Sequence, residues 1–191
     1  MPLLSDTGLF MRPSALRLLS ALILALAPAA VATAVLAAET PSGLPLPRFV
    51  TTRSTPINVR VGPGTKYDVS WVYKVAGTPV EIIQEFDVWR KIRDVDGSEG
   101  WVHQTMLSGN RAGYVLPEAN VERVALRMAQ SDEAGVAAWV GPGFPVKIQS
   151  CEGGWCAVQA IDHPDGRLGA TFTGYLPEGD LWGVYRGENF D

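Results

Sequence analysis

From Arg48 onward, apolar residues recur in short runs that alternate with polar ones, and no stretch repeats them at helical spacing. Val80 to Glu85 predicts one strand and Trp89 to Arg93 the next. Asp96-Gly97 then supplies a tight turn into a third strand, Gly100 to His103. Strict alternation from Val88 puts Val88 and Ile92 on one face and Trp89, Lys91 and Arg93 on the other, so Trp89 falls on the polar side. The expected class is all-β.

The same pattern occurs twice. Ile57-Asn58-Val59-Arg60 aligns with Val124-Ala125-Leu126-Arg127, and Pro79-Val80-Glu81-Ile82 with Pro145-Val146-Lys147-Ile148. Trp89 then falls on Trp155, Gly100-Trp101-Val102 on Gly174-Tyr175-Leu176 after a longer hairpin, and Leu107 on Leu181. The chain therefore divides into two consecutive domains, residues 48–116 and 117–191, preceded by a Pro- and Gly-rich flexible spacer at 39–47. Each copy is about 60 residues, near the lower limit for a core that folds unaided, so packing together would help both. The loop Val61-Gly62-Pro63-Gly64-Thr65 becomes Met128-Ala129-Gln130-Ser131 in the second copy, without glycines. The first duty of those glycines is to make the turn.

Residues 1–38 differ in composition from the rest. Arg12 and Arg17 precede the apolar run Leu18 to Leu26, and small residues follow at Ala32, Ala34, Ala37 and Ala38. This is the order of a secretory signal peptide, with Met1 or Met11 as its start. The alternative is a retained membrane anchor, since Leu18 to Ala38 is long enough to span a bilayer. That segment carries two arginines and one aspartate, so its removal takes the net charge from −4 to −5. A mildly acidic chain without a Lys/Arg cluster excludes nucleic acid as the expected partner.

Both cysteines lie in Cys151-Glu-Gly-Gly-Trp-Cys156, and export places them in an oxidising compartment. A two-residue turn at Gly153-Gly154 would set Cys151 opposite Cys156 with Cα atoms about 4.5 Å apart, within disulfide range. The same register sets Val158 against Gln149, so a bulge or wider loop must intervene. Two thiols with only His163 nearby fall short of a metal site, and no cofactor is expected. Applying the repeat offset puts Glu85 and Arg90 at the cysteine positions, as an exposed ion pair in place of the disulfide.

INVRVGPGTKYDV (Ile57 to Val69) and VWRKIRDVDGSEGWV (Val88 to Val102) resemble the bacterial SH3-like domain, whose signature runs NVR, GPGT, a Trp after the second loop and a closing GWV. VALR, GGWCAV and GYLPEGDLWGV (Gly174 to Val184) resemble a diverged member. The resemblance implies tandem small SH3-like β-barrels of five strands each and non-catalytic binding in the cell envelope, often to peptidoglycan or its peptides. An exported, periplasmic location goes with it. The Ala-Leu-Tyr-Asp-Tyr segment with which eukaryotic SH3 domains bind Pro-rich helices is missing.

An enzyme would need a nucleophile, a base and an orienting group, or a metal set. His103 ends a barrel strand and His163 sits in a Pro-Asp-Gly loop, so both read as structural or solvent-exposed. Asp94 and Asp96 flank a turn, where Asp bonds its own backbone. The aromatic residues carry the remaining signal: a shallow groove centred on Trp89 and Tyr67, with Trp155 repeating the placement of Trp89. The competing reading is that both tryptophans cover a barrel end or the contact between barrels. Trp101 and Tyr175 read as barrel core. The expected function is a non-catalytic envelope binding or adaptor protein for cell-wall peptide or peptidoglycan. The alternative is a structural component that meets another envelope protein and takes no small ligand.

Overall fold

The computed structural model describes residues 40–116, 122–161 and 169–191. The N-terminal segment read from the sequence as an export signal and His163 lie outside the described residues. Within them the chain is all-β, in two seven-stranded antiparallel sheets. The first contains β1 (Arg48–Thr52), β2 (Ile57–Arg60), β3 (Val69–Tyr73), β4 (Pro79–Phe86), β5 (Trp89–Arg93), β6 (Glu99–His103) and β7 (Leu107–Ser108). Their order across the sheet is β3-β2-β6-β5-β4-β1-β7. The second contains β8 (Ala112–Val115), β9 (Val124–Arg127), β10 (Val136–Val140), β11 (Pro145–Glu152), β12 (Trp155–Ile161), β13 (Thr171–Pro177) and β14 (Leu181–Trp182), in the equivalent order.

Each sheet rolls around its own core. Val50, Ile57, Val59, Val80, Ile82, Ile92, Val102 and Leu107 form one cluster, drawing residues from six strands, with Trp71 and Tyr73 of β3 packed against it. Val115, Leu126, Val140, Val146, Ile148, Val158, Leu176 and Leu181 form the other, together with both cysteines. A side chain of this kind contributes about 1.5–3 kcal/mol when fully buried. The rolled shape explains the Gly-aromatic step of the repeat. A Cβ on Gly100 would lie 2.4 Å from Val59 Cγ1, and one on Gly174 2.5 Å from the Arg127 carbonyl oxygen, so only glycine lets β6 and β13 cross β2 and β9 this closely.

Every repeat match falls on paired elements, including a 3-10 turn before the last strand of each copy, Gln104–Met106 and Glu178–Asp180. The resemblance implied five strands per barrel, and the structure has seven. β1 and β8 lie ahead of the matched motifs, and β3 and β10 are sheet edges whose exposed Val69, Val72 and Trp139 blur the alternation. Ala112–Val115, assigned from sequence to the end of the first domain, pairs with β11 and β14 in the second sheet.

The segment read as a flexible spacer is also tied down. The Ser42 amide and hydroxyl donate to the two Glu85 carboxylate oxygens at 2.9 and 2.8 Å, and Leu46 packs on the first core. The Glu85 carboxylate satisfies backbone that would otherwise need water, so the segment follows the barrel wall.

Candidate functional site

In the first barrel Gly100, Val102, Arg90 and Ile92 point inward, so Trp89, Lys91, Trp101 and His103 point out. Register then orders this outer face into rows. Phe86 of β4 stands opposite Trp89, which stands opposite His103 of β6. The next row is Gln84, Lys91, Trp101 and Arg60, and the last is Glu81, Arg93 and Glu99. The face thus grades from aromatic to charged.

The aromatic end is open. Phe86 is 58% exposed and Met106, just beyond His103, is 36% exposed. The Trp89 and His103 rings meet edge to face, with centroids 5.6 Å apart and planes at 90°. His103 Nδ1 lies 2.8 Å from the Thr105 hydroxyl, which fixes the imidazole against the 3-10 turn. The turn between β4 and β5 needs a left-handed residue, and Asp87 takes it at φ 49°. Two-residue spacing across that turn is what brings Phe86 and Trp89 together.

At the charged end Glu81 is buried, while Arg93 and Glu99 stay exposed. Tyr185, from the tail of the second barrel, donates to Glu81 at 2.7 Å, while Arg93 holds the other oxygen of the same carboxylate. Phe49 packs on Trp182 and Tyr185, with centroids 5.0 and 4.8 Å away. Burial, with Glu81 as its hydrogen-bond partner, pushes the Tyr185 phenol well above its ordinary pKa, so it stays protonated and donating. Lys91 pairs with Glu99 and holds that carboxyl below its usual range.

Trp101, expected in the core, lies on this outer face opposite Arg60 and Lys91. At 9% exposed it is buried as expected of a core residue, but on the outer side of the sheet and outside the cluster around Val59 and Ile92. Its counterpart Tyr175 is half-buried on the outer face opposite Arg127 and Ala157. Counting inward positions from Gly100, which packs on Val59, gives this outcome directly.

The structure separates Tyr67 from Trp89. β2 runs antiparallel to β6, so the loop that carries Tyr67 leaves at the Arg60 end, toward Gly100, whereas Trp89 sits at the His103 end. The Tyr67 ring lies on its own loop: a Cβ on Gly62 would meet it at 2.6 Å, and Arg60 clamps the Tyr67 carbonyl oxygen at 2.7 Å. Gly62 is therefore required by the ring more than by the turn. Neither Gly62 nor Gly64 has a positive φ.

Trp155 does repeat Trp89, but its row reads Glu152, Trp155 and Pro177 in place of Phe86, Trp89 and His103. Phe86 and His103 are the residues that sequence reasoning left out of the candidate surface. The signal was the two-residue turn after Phe86.

Both cysteines are joined, with Cα atoms 4.1 Å apart, so no thiol remains. Gly153 and Gly154 form the turn at φ 61° and 86°, and a bulge between Ile148 and Ser150 restores Ile148 opposite Val158. At the equivalent position Glu85 meets Arg90 at 3.0 Å. That pair is buried, with side chains 0% and 5% exposed, and not the exposed pair expected from sequence. Burial raises the Glu85 pKa, but hydrogen bonds from Arg48 and Ser42 outweigh it and leave the carboxyl below its ordinary range.

The bacterial SH3 domain pattern matches residues 53–109 and again 120–183. No curated protein matches the chain. Solved structures similar to it include two Trichomonas vaginalis proteins, NlpC2 at 12% identity and NlpC1 at 13%. They cover 71% and 78% of this chain, which spans about half of theirs (48% and 49%). Both TM-scores are 0.29, too low to bear on fold or function. Two matched segments, two sheets of one strand order and a shared Gly-aromatic crossing agree: the chain belongs to the bacterial SH3 domain family.

Proposed function

We propose that this protein is an exported, periplasmic binding module that recognises cell-wall peptide or peptidoglycan through the open aromatic end of its first barrel. Bacterial SH3 domains are binding modules. The observation that carries the reading is the row of Phe86, Trp89 and His103 across three strands, an aromatic surface with exposed Phe86 and Met106 at its edges, whereas the charges at the other end of the face are taken up in ion pairs and by Tyr185. Edge-to-face aromatic groups with one polar tip suit a peptide or sugar ring whose faces are apolar and whose edges hydrogen-bond. Trp155 is a weaker candidate, because Glu152 replaces the exposed phenyl ring beside it. Tyr67 belongs to the loop at the other end of β6 and is not part of this surface.

Co-sedimentation with purified peptidoglycan tests the reading. The wild-type protein should pellet with the polymer, and Trp89→Ala and Phe86→Ala should each release it with an unchanged far-ultraviolet circular dichroism spectrum. Absence of wild-type retention, or full retention by both folded variants, would sink it.

A further inference from the structure

A cleft of about 430 Å3 lies between the two barrels, away from the aromatic row. Its walls come from β1, β7 and the turn before β4 on one side and from β8, β11 and β12 on the other. Its volume falls in the range of small-ligand sites. Its lining is chemically one-sided. Arg53, Arg111 and Lys147 all contribute, and among the described residues no Asp or Glu does. This is a local positive patch on a chain whose net charge is −4.

The three cations are not equivalent. Arg111 is held by Glu188 at 2.7 and 2.9 Å and by the Gly183 carbonyl oxygen. Arg53 and Lys147 are exposed, and neither side chain forms a hydrogen bond or ion pair among the described residues. Each comes from a different barrel, and both line the cleft. The carboxylates whose charge acts on Tyr114 in the wall are Asp94 and Asp96, and neither lines the cleft. The rest of the lining mixes apolar side chains, Val75, Val146 and Ile161, with neutral polar ones such as Thr78, Asn110 and Gln159. Cations set among apolar and neutral polar side chains suit a peptide that carries carboxylates and also offers carbon and amide groups better than a bare inorganic anion.

We propose that this cleft is a second binding site, for a short peptide bearing carboxylates, with Arg53 and Lys147 as its charge contacts. The proposal deepens the binding-module reading but uses none of its surface, so the two fail separately.

The test is amide NMR titration of the mature protein at low salt with three probes: acetyl-Ala-Glu-Ala with a free C-terminal carboxylate, its uncharged counterpart acetyl-Ala-Gln-Ala-amide, and inorganic phosphate. The acidic peptide should shift the amides of Thr78, Ala112 and Lys147, and 0.3 M salt should weaken the effect by screening. Arg53→Gln/Lys147→Gln should bind about tenfold more weakly. Both side chains are exposed, so the variant should keep the wild-type spectrum elsewhere. Trp89→Ala should titrate like the wild type whatever it does to peptidoglycan binding. Equal shifts from the neutral peptide, tighter binding of phosphate than of the peptide, or an unchanged affinity in the folded double variant would each overturn the proposal.

Discussion

The two barrels share a frame and differ in what occupies one buried position. In the first, Glu85 of β4 faces Arg90 of β5, and in the second, Cys151 of β11 faces Cys156 of β12. The segment that covers the position differs as well. Ser42, ahead of the first barrel, donates to Glu85, whereas Phe190, near the C-terminus, exchanges backbone hydrogen bonds of 3.0 and 3.1 Å with Cys151. The arginine at the start of β1 and the one just before β8 follow the same logic: Arg48 reaches Glu85, and Arg111 reaches Glu188 in the C-terminal tail. A site of this kind accepts either a charge pair or a covalent bond, provided the covering segment supplies the matching chemistry. In the first barrel that means polar donors for a carboxylate. In the second it means an aromatic ring and two backbone bonds over a disulfide.

If that equivalence holds, breaking the ion pair should have the largest effect. Glu85→Ala removes a buried carboxylate with three partners and is expected to cost about 3 kcal/mol, measured by urea unfolding. Arg90 keeps acceptors at Asp87, Trp89 and Gln104, which holds the loss to the lower end of the range for a broken buried pair. Glu85→Cys/Arg90→Cys should form a disulfide on oxidation and regain part of the loss. Thiols that stay free in the oxidised variant would show that the two positions are not interchangeable. The pH dependence follows from the same carboxyl. Its folded pKa lies below the ordinary value of about 4.3, so its stabilising contribution is complete above that value and is lost as pH falls through the lower folded pKa. The gap in thermal midpoint between wild type and Glu85→Gln should therefore close on acidification from pH 7 to pH 3.

Removing the covalent bond should cost less. Cys151→Ala/Cys156→Ala opens a loop of only a few residues, for which the chain-entropy account gives about 2 kcal/mol. The second barrel should become less stable while Trp89 and His103 keep their chemical shifts, because the first core is separate. Loss of both barrels at one lower midpoint would show instead that the Tyr185–Glu81 contact couples them fully.

Much of this was legible in residues whose neighbours are set by short-range geometry. Gly153-Gly154 sets the turn, the turn sets Cys151 opposite Cys156, and the misfit at Gln149 demands the bulge that is found. The repeat alignment located strands because a rolled sheet needs glycine at the same crossing each time, Gly100 and Gly174. What escaped depends on contacts distant in sequence. The burial of Glu85 and Arg90 comes from Ser42 and Arg48, some forty residues upstream. Tyr67 and Trp89 share an aromatic character, but the antiparallel pairing of β2 with β6 sends them to different ends of the face. Glu81 of the charged row is bonded by Tyr185 of the other barrel, a contact 104 residues long.

The smallest expected effect concerns the β2–β3 and β9–β10 loops, where the two copies differ in sequence and share their backbone hydrogen bonds. Val61 donates to Asp68, Gly64 to Gly62 and Tyr67 to Gly64, and the second copy repeats each bond as Met128 to Gly135, Ser131 to Ala129 and Ala134 to Ser131. Arg60 and Arg127 both clamp the carbonyl that closes the loop, at 2.7 and 3.0 Å. The loss of glycine thus leaves the path intact, because Ala134 in place of Tyr67 removes the ring that Gly62 has to accommodate. Gly62→Ala should therefore cost about 1 kcal/mol by overpacking, and Gly62→Ala/Tyr67→Ala should show most of that penalty cancelled. The mirror experiment in the second barrel sharpens the point. Ala134→Tyr should destabilise it, and Ala129→Gly in the same chain should relieve the strain. Additive losses in both cycles would mean that the glycine serves the backbone after all, and that the two loops reach the same hydrogen bonds by unrelated routes.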